Sequence, residues 1–162
     1  MQIIVAADEN WAIGRDGALL WHLPEDMKFF RKMTTGNVVV MGRKTLDSFP
    51  GGKPLKNRTN VVLSGNPDFS RTDTVVLHSV EEALEYLERY DASEVFIAGG
   101  GHIYREFLPY CDTAYVTRVF KSYEADTYFP DLDESLEWEL SAEGERQEQE
   151  GIGFAFNVYR RK

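Results

Sequence analysis

Residues 38 to 49 read VVVMGRKTLDSF. Three valines and a methionine run without a polar interruption, Gly42 follows, and Arg43, Lys44 and Thr45 open a new pattern. An unbroken β-branched run is what a strand covered on both faces requires, and the glycine marks the turn into the next element. The same grammar recurs in QIIVAA (residues 2–7), NVVVMG (37–42), TNVVLS (59–64) and the EVFIAGGG that begins at Glu94. Between these runs the period changes to that of a helix. Pro24 suits a first helical position for a helix reaching about Thr34. Ser79 and Glu82 form a capping box ahead of the stripe Val80, Ala83, Leu84 and Leu87. Strands alternating with helices predict an α/β fold with a largely parallel sheet. After Asp112 the helices stop: TAYVTRVF, LEWELSAE and GFAFNVYRR predict three strands, the last alternating at Phe154, Phe156 and Val158, so the C-terminus closes the sheet as an antiparallel hairpin.

The 162 residues fit one domain spanning 1–162, and ten Phe, eight Tyr and three Trp supply ample core. A charge of −9 argues against nucleic-acid or membrane-surface binding. With no signal segment and no membrane-length apolar run, a cytoplasmic protein is expected. Cys111 stands alone, and His22, His78 and His102 lack metal-ligand spacing, so no disulfide and no metal are expected. The charge is segregated: from Lys28 to Arg58 there are eight basic residues and one acid, Asp47, whereas Glu124 to Glu150 holds eleven acids and only Arg146. A solvated surface accounts for such runs, and so does a local cationic zone that receives anionic small molecules.

LLWHLPEDMKFF, residues 19–30, poses a sharper question. Asp26 is either a helix-start acid complementing the dipole or the head of an apolar stripe, since Asp26, Phe29, Phe30 and Met33 fall at i, i+3, i+4 and i+7. On such a stripe a carboxylate needs protein donors or a cationic, donor-rich ligand. Residues 8 to 23, with Gly14 and Gly17 as turns and with Trp11, Ile13, Leu19, Leu20 and Trp21, have the length and character of a functional lid.

Two strand-to-helix junctions suit anions. At Gly42–Arg43–Lys44–Thr45, free N–H groups, the helix dipole and two cations favour phosphate. In FIAGGGHIY three glycines let the backbone approach a ligand. This is not a dinucleotide fingerprint, because Tyr104 stands where its last glycine would fall, nor is there a GxxxxGK[ST] loop. Each junction also reads as a tight turn; two in one small sheet favour a dinucleotide.

AADENWAIGRDGALLWHLPEDMKFFRKMT, VVMGRKTLDSFP, PLKNRTNVVLS, VFIAGGGHIYREFLP, AYVTR and EADTYFP resemble, in order and spacing, the defining segments of bacterial dihydrofolate reductases. The resemblance implies a monomer with an eight-stranded mostly parallel sheet, an antiparallel C-terminal hairpin and four flanking helices, reducing 7,8-dihydrofolate to tetrahydrofolate with NADPH in one-carbon metabolism and binding antifolates. It implies that Asp26 binds the 2-amino group and N3 of the pterin and favours protonation at N5, beside the hydride acceptor C6, with Thr117 bonding Asp26 and a water and with Trp21 closing the lid. Ile4 and Ala98 carbonyls face the pterin's other edge. Val5, Met27, Phe30, Phe49, Leu55 and Tyr104 line the substrate pocket, and Arg58 grips the α-carboxylate of the glutamate tail. For NADPH the resemblance implies Ala6, Ile13, Gly14 and Leu19 from the first segment and lid. It adds Gly42, Arg43, Lys44 and Thr45 from the first junction and Leu63, Ser64 and Gly65 from the next strand end. From the triglycine segment come Ala98, Gly99, Gly100, Gly101, His102, Ile103 and Tyr104.

This sequence departs from the usual pattern in four places. Leu20 replaces a common proline before Trp21, and PGGKPLKNR is longer than many equivalent loops. Gly65 offers no side chain to a 2′-phosphate, and His102 replaces a longer polar residue. Cofactor preference therefore rests on Arg43, Lys44 and Ser64. The competing readings are the same-fold NADPH-dependent pyrimidinone reductase of riboflavin synthesis, which needs a ribityl-phosphate site in place of the Asp26 and Arg58 pair, and a non-catalytic NADPH-binding module.

Overall fold

A computed structural model describes residues 1–162. The strands are β1 (Gln2–Ala7), β2 (Ala12–Gly14), β3 (Val38–Gly42), β4 (Thr59–Leu63), β5 (Val75–Leu77), β6 (Val95–Gly99), β7 (Thr113–Val119), β8 (Thr127–Tyr128), β9 (Trp138–Ala142), β10 (Gln147–Gln149) and β11 (Ile152–Arg161). Four α-helices lie between them: α1 (Pro24–Thr34), α2 (Arg43–Ser48), α3 (Val80–Leu87) and α4 (Gly101–Phe107). The main sheet runs β10-β11-β7-β1-β6-β3-β4-β5, eight strands across, and β9 shares the outer edge of the long β11 with β10. The pairs β1–β6, β1–β7, β3–β6, β3–β4 and β4–β5 are parallel; those of β11 are antiparallel. The expected α/β architecture with its closing hairpin is therefore what the chain forms.

The unbroken apolar runs have a physical cause in this sheet. Val38 and Val40 point into the larger core cluster with Ile3, Val5 and Ile97, while Val39 and Met41 point to the other face, against Leu46 and Val62. Both faces of β3 are covered, so the period-2 alternation of side chains never meets water. Cys111 is buried and unpaired, and no helix is long and apolar enough to cross a membrane.

The capping box at α3 differs in one bond from the expected form. Ser79 Oγ accepts the Glu82 N–H (3.1 Å), but Glu82 Oε2 reaches the N–H of His78 (2.9 Å). Sequence periodicity missed β2, β5, β8 and β10. These hold three, three, two and three residues, too few for a period to register. The parallel strands β1, β3, β4, β5 and β6 all end at one edge, where such sheets place their ligands.

Candidate functional site

Asp26 sits in the first turn of α1. No side chain caps this helix, and Pro24 occupies its start. The free N–H of Glu25 is instead taken by Gln149 Oε1 of β10 (3.0 Å). Asp26, Phe29, Phe30 and Met33 are all half-buried, as one stripe requires. Phe30 turns to the smaller core cluster, whereas Phe29 packs on Phe156 at 4.6 Å.

The Thr117 hydroxyl on β7 donates to Asp26 Oδ1 at 2.7 Å. Thr117 is itself buried, in register with Ala6 on one side and Phe156 on the other. Burial raises the Asp26 carboxyl above its ordinary range, and the Thr117 bond opposes that rise. One carboxylate oxygen thus has a fixed protein donor and the other has none, as a site awaiting a donor-rich ligand requires. Nearby, the buried Tyr104 hydroxyl donates to the Ile4 carbonyl (2.8 Å). Its pKa is pushed up by burial and then by the charge of Asp26, so the phenol stays a neutral donor.

The two glycine junctions meet. Gly42 and Gly100 precede α2 and α4, and neither helix start is capped by a side chain, which leaves N–H groups free. Gly99 adopts φ 136°, and its peptide to Gly100 is cis. A Cβ on Gly99 would stand 3.2 Å from Thr45 Oγ1, one on Gly101 2.7 Å from Thr127 Cγ2, and one on Gly42 3.1 Å from Ile103 Cγ1. These glycines let α2, α4 and β8 approach around one cleft. Free amides, Thr45 and the cations Arg43 and Lys44 make it chemically suited to the phosphates of a dinucleotide. Arg43 lies over the Phe69 ring at 4.4 Å, with Nε 3.7 Å from Asp47. Leu63 and Ser64 are buried, and Ser64 Oγ accepts the Asn66 N–H (3.2 Å). Gly65 faces open space. His102 is exposed, 3.6 Å from Glu106, and its ring is not held toward the glycines.

Phe30, Phe49, Leu55 and Ala98 pack on one cluster with Val39, Met41, Leu46 and Val62, which brings three of the expected wall residues and the strand carrying the Ala98 carbonyl onto one face. Met27 is 57% exposed and stands at the margin. The long 50–57 loop is held by a residue that sequence reasoning missed. Buried Asn60 accepts the Leu55 N–H and donates to the Leu55 and Arg58 carbonyls (2.9, 2.9 and 3.2 Å). Arg58 bonds Thr34 Oγ1 (3.1 Å) and the Lys56 carbonyl (2.9 Å). Burial and then the nearby Arg31 charge lower its pKa. Arg31 of α1 is thus near enough for its charge to act on Arg58, a neighbour the sequence reading did not name.

In the segment expected to act as a lid, Trp11 and Ile13 are buried in the main core, while Leu19 is 75% exposed and Trp21 rests on Tyr123 at 5.3 Å. The root is tied by Asp8, fully buried, which accepts the N–H groups of Asn10 (2.8 Å), Ala12 (2.9 Å) and Tyr123 (2.9 Å). β2 pairs with β8, and Asp126 Oδ2 accepts the Asp16 N–H at 2.9 Å. An open cavity of about 630 Å³ between Arg15, Asp16, Glu124 and Tyr128 belongs to this outer rim, not to the Asp26 cleft.

Residues 1–161 match the family model described as Dihydrofolate reductase. The chain is 37% identical over 164 residues to the dihydrofolate reductase of Bacillus subtilis (strain 168), covering 100% of this chain and 95% of that one. It is 38% identical over 148 residues to the dihydrofolate reductase of Haemophilus influenzae, covering 91% and 89%. A solved structure of dihydrofolate reductase from Enterococcus faecalis, complexed with NADP(H) and RAB-propyl, superposes with a TM-score of 0.88 at 39% identity, covering 99% of this chain and 95% of that one.

Proposed function

The chain belongs to the dihydrofolate reductase family, and from that premise we propose the residues with which it reduces 7,8-dihydrofolate by NADPH. The carrying observation is the Asp26 carboxylate, half-buried, with one oxygen bonded by Thr117 and the other without a protein donor. The pterin's 2-amino group and N3–H supply the missing donors as a two-pronged pair. Thr117 fixes the carboxylate's rotamer, so binding orients the ring without costing Asp26 further ordering. The negative charge favours a proton at N5, which makes the adjacent C6 the better acceptor. NADPH, when bound, supplies the hydride to C6. Tyr104 and the Ile4 and Ala98 carbonyls shape the pocket's other side, and Val5 and Ala6 line the strand beneath.

Phe30, Phe49 and Leu55 wall the aminobenzoyl region, with Met27 at its mouth. Arg58 takes the α-carboxylate of the glutamate tail and Arg31 the second carboxylate. Gly42 to Thr45, Leu63 to Gly65 and Ala98 to Tyr104 hold the cofactor. Ile13, Gly14 and Leu19 of the lid cover it, and Trp21 excludes water from the reacting atoms. The chain forms one domain over 1–162 and works as a cytoplasmic monomer on small molecules rather than nucleic acid, and antifolates occupy the same pterin pocket. The same-fold pyrimidinone reductase and a cofactor-binding module without turnover are disfavoured by the Asp26–Thr117 pair together with Arg58.

Following NADPH absorbance with dihydrofolate tests the reading. Asp26→Asn leaves NADPH binding nearly intact and lowers turnover at least about tenfold, equivalent to ~1.4 kcal/mol of transition-state stabilisation. An unchanged rate would remove Asp26 from the mechanism.

A further inference from the structure

α1 begins without a side chain of its own to cap it. Pro24 has no N–H, and the Met27 N–H already donates to the Leu23 carbonyl (3.0 Å), so Glu25 and Asp26 carry first-turn N–H groups that the helix itself leaves unpaired. The one at Glu25 donates to Gln149 Oε1 at 3.0 Å, across 124 positions of chain. The start of the helix that bears Asp26 is thus tied to a different element, the β10–β11 hairpin.

That hairpin is a stiff support. Gln149 pairs with Ile152 across a two-residue turn, and Glu150 and Gly151 both take positive φ (52° and 80°), the geometry that matches the twist of the flanking strands. Ile152 packs on the cluster of buried Leu23, Val119 and Phe154. The residue just before α1 and the residue opposite Gln149 therefore belong to one apolar cluster. Further along β11, Phe156 meets the Phe29 ring at 4.6 Å and lies in register with Thr117 of β7. The hairpin thereby holds both partners of the Asp26–Thr117 bond: Thr117 through the sheet, and Asp26 through Phe29 and Gln149 on its helix.

We propose that Gln149 is a positioning residue for the reduction: by accepting the Glu25 N–H it fixes the first turn of α1, and with it the Asp26 carboxylate, where Thr117 bonds one oxygen and the pterin the other. Gln149 makes and breaks no covalent bond. Helix ends fray when their N–H groups have no acceptor, and Asp26 lies within the turn that would fray. A carboxylate that wanders in this way no longer presents its oxygens to the ring in one orientation. The inference rests on the role proposed above for Asp26.

The test uses the full chain and three variants: Gln149→Leu, which removes the acceptor, Gln149→Asn, one methylene short of the N–H, and Gln149→Glu, which keeps an acceptor of the same reach. Single-turnover hydride transfer at saturating NADPH and dihydrofolate slows about fivefold in Gln149→Leu and Gln149→Asn, the scale of one hydrogen bond, and stays within about twofold of the natural chain in Gln149→Glu. The KM for NADPH moves less than about twofold in all three, since the cofactor groove is built by other elements. In a Thr117→Val background Gln149→Leu costs less than about twofold, because the bond it serves is already gone. Equal slowing in both backgrounds, slowing shared by Gln149→Glu, or a lower Tm with unchanged hydride transfer would overturn the proposal. Asp26→Asn separates the two readings. If it slows the reaction and Gln149→Leu does not, Gln149 alone loses its role; if neither does, the assignment of Asp26 falls with it.

Discussion

Replacing Gly101 by alanine probes the point where the cofactor cleft and the lid share a wall. The new Cβ would lie 2.7 Å from Thr127 Cγ2, whereas carbon atoms sit best at about 3.5–4.0 Å. The contact must open by nearly an ångström. Thr127 cannot readily swing its methyl away, because its hydroxyl donates to Asp126 Oδ1 at 2.8 Å. Gly101 is itself buried at the start of α4. Overpacking of this kind costs ~1–3 kcal/mol. For a chain of this length, ~2 kcal/mol lowers Tm by roughly 4–8 °C. Because β8 pairs with lid strand β2, relief by displacement of β8 also raises the KM for NADPH. Thr127→Ser deletes the offending methyl and keeps the hydroxyl, so the double variant recovers most of the lost Tm and KM. Thermal denaturation and initial rates on the four proteins complete the cycle. A Gly101→Ala protein as stable as its parent, or one that Thr127→Ser fails to rescue, refutes the reasoning.

Three further outcomes are expected. Burial raises the Asp26 carboxyl in the folded chain, so its contribution to stability is present below the unfolded carboxyl range and is lost as pH rises through the folded value. Urea denaturation without ligand should therefore show Asp26→Asn gaining on the parent from about pH 4 to pH 8, while Thr117→Val, which removes the bond to the ionised form, loses ground over the same interval. Asn60→Ala leaves buried backbone groups of the 50–57 loop unpaired. It should cost ~2–3 kcal/mol in the same assay and raise the KM for dihydrofolate. Arg58→Gln should raise that KM at least about tenfold with little change in kcat, and Arg31→Ala severalfold, both effects shrinking in high salt.

The fold was legible where the chain repeats a pattern long enough to have a period. β1, β3, β4 and β6 are unbroken because water reaches neither face, and α1 is bounded by the residues that its periodicity and Pro24 suggested. The strands that escaped notice have two or three residues and exist because a partner strand lies alongside; β2 forms only against β8. The resemblance to the family supplied the site roles, which no local pattern carries; that Phe30, Phe49 and Leu55 pack on one cluster is a fact of the tertiary structure.

Local sequence by itself determined the α/β class, the two glycine junctions and the presence of an acid on an apolar helical stripe. Such features depend on neighbours within about one turn or one strand. No local pattern tied Thr117 to Asp26, a pairing expected only from the family resemblance; the tertiary structure brings its hydroxyl, 91 positions away, to one carboxylate oxygen. It likewise brings Gln149 to the start of α1 and sets Arg31 near Arg58. Hydrogen bonds and charge repulsion act over a few ångströms of space, and separation along the chain carries no information about that distance until the sheet fixes it.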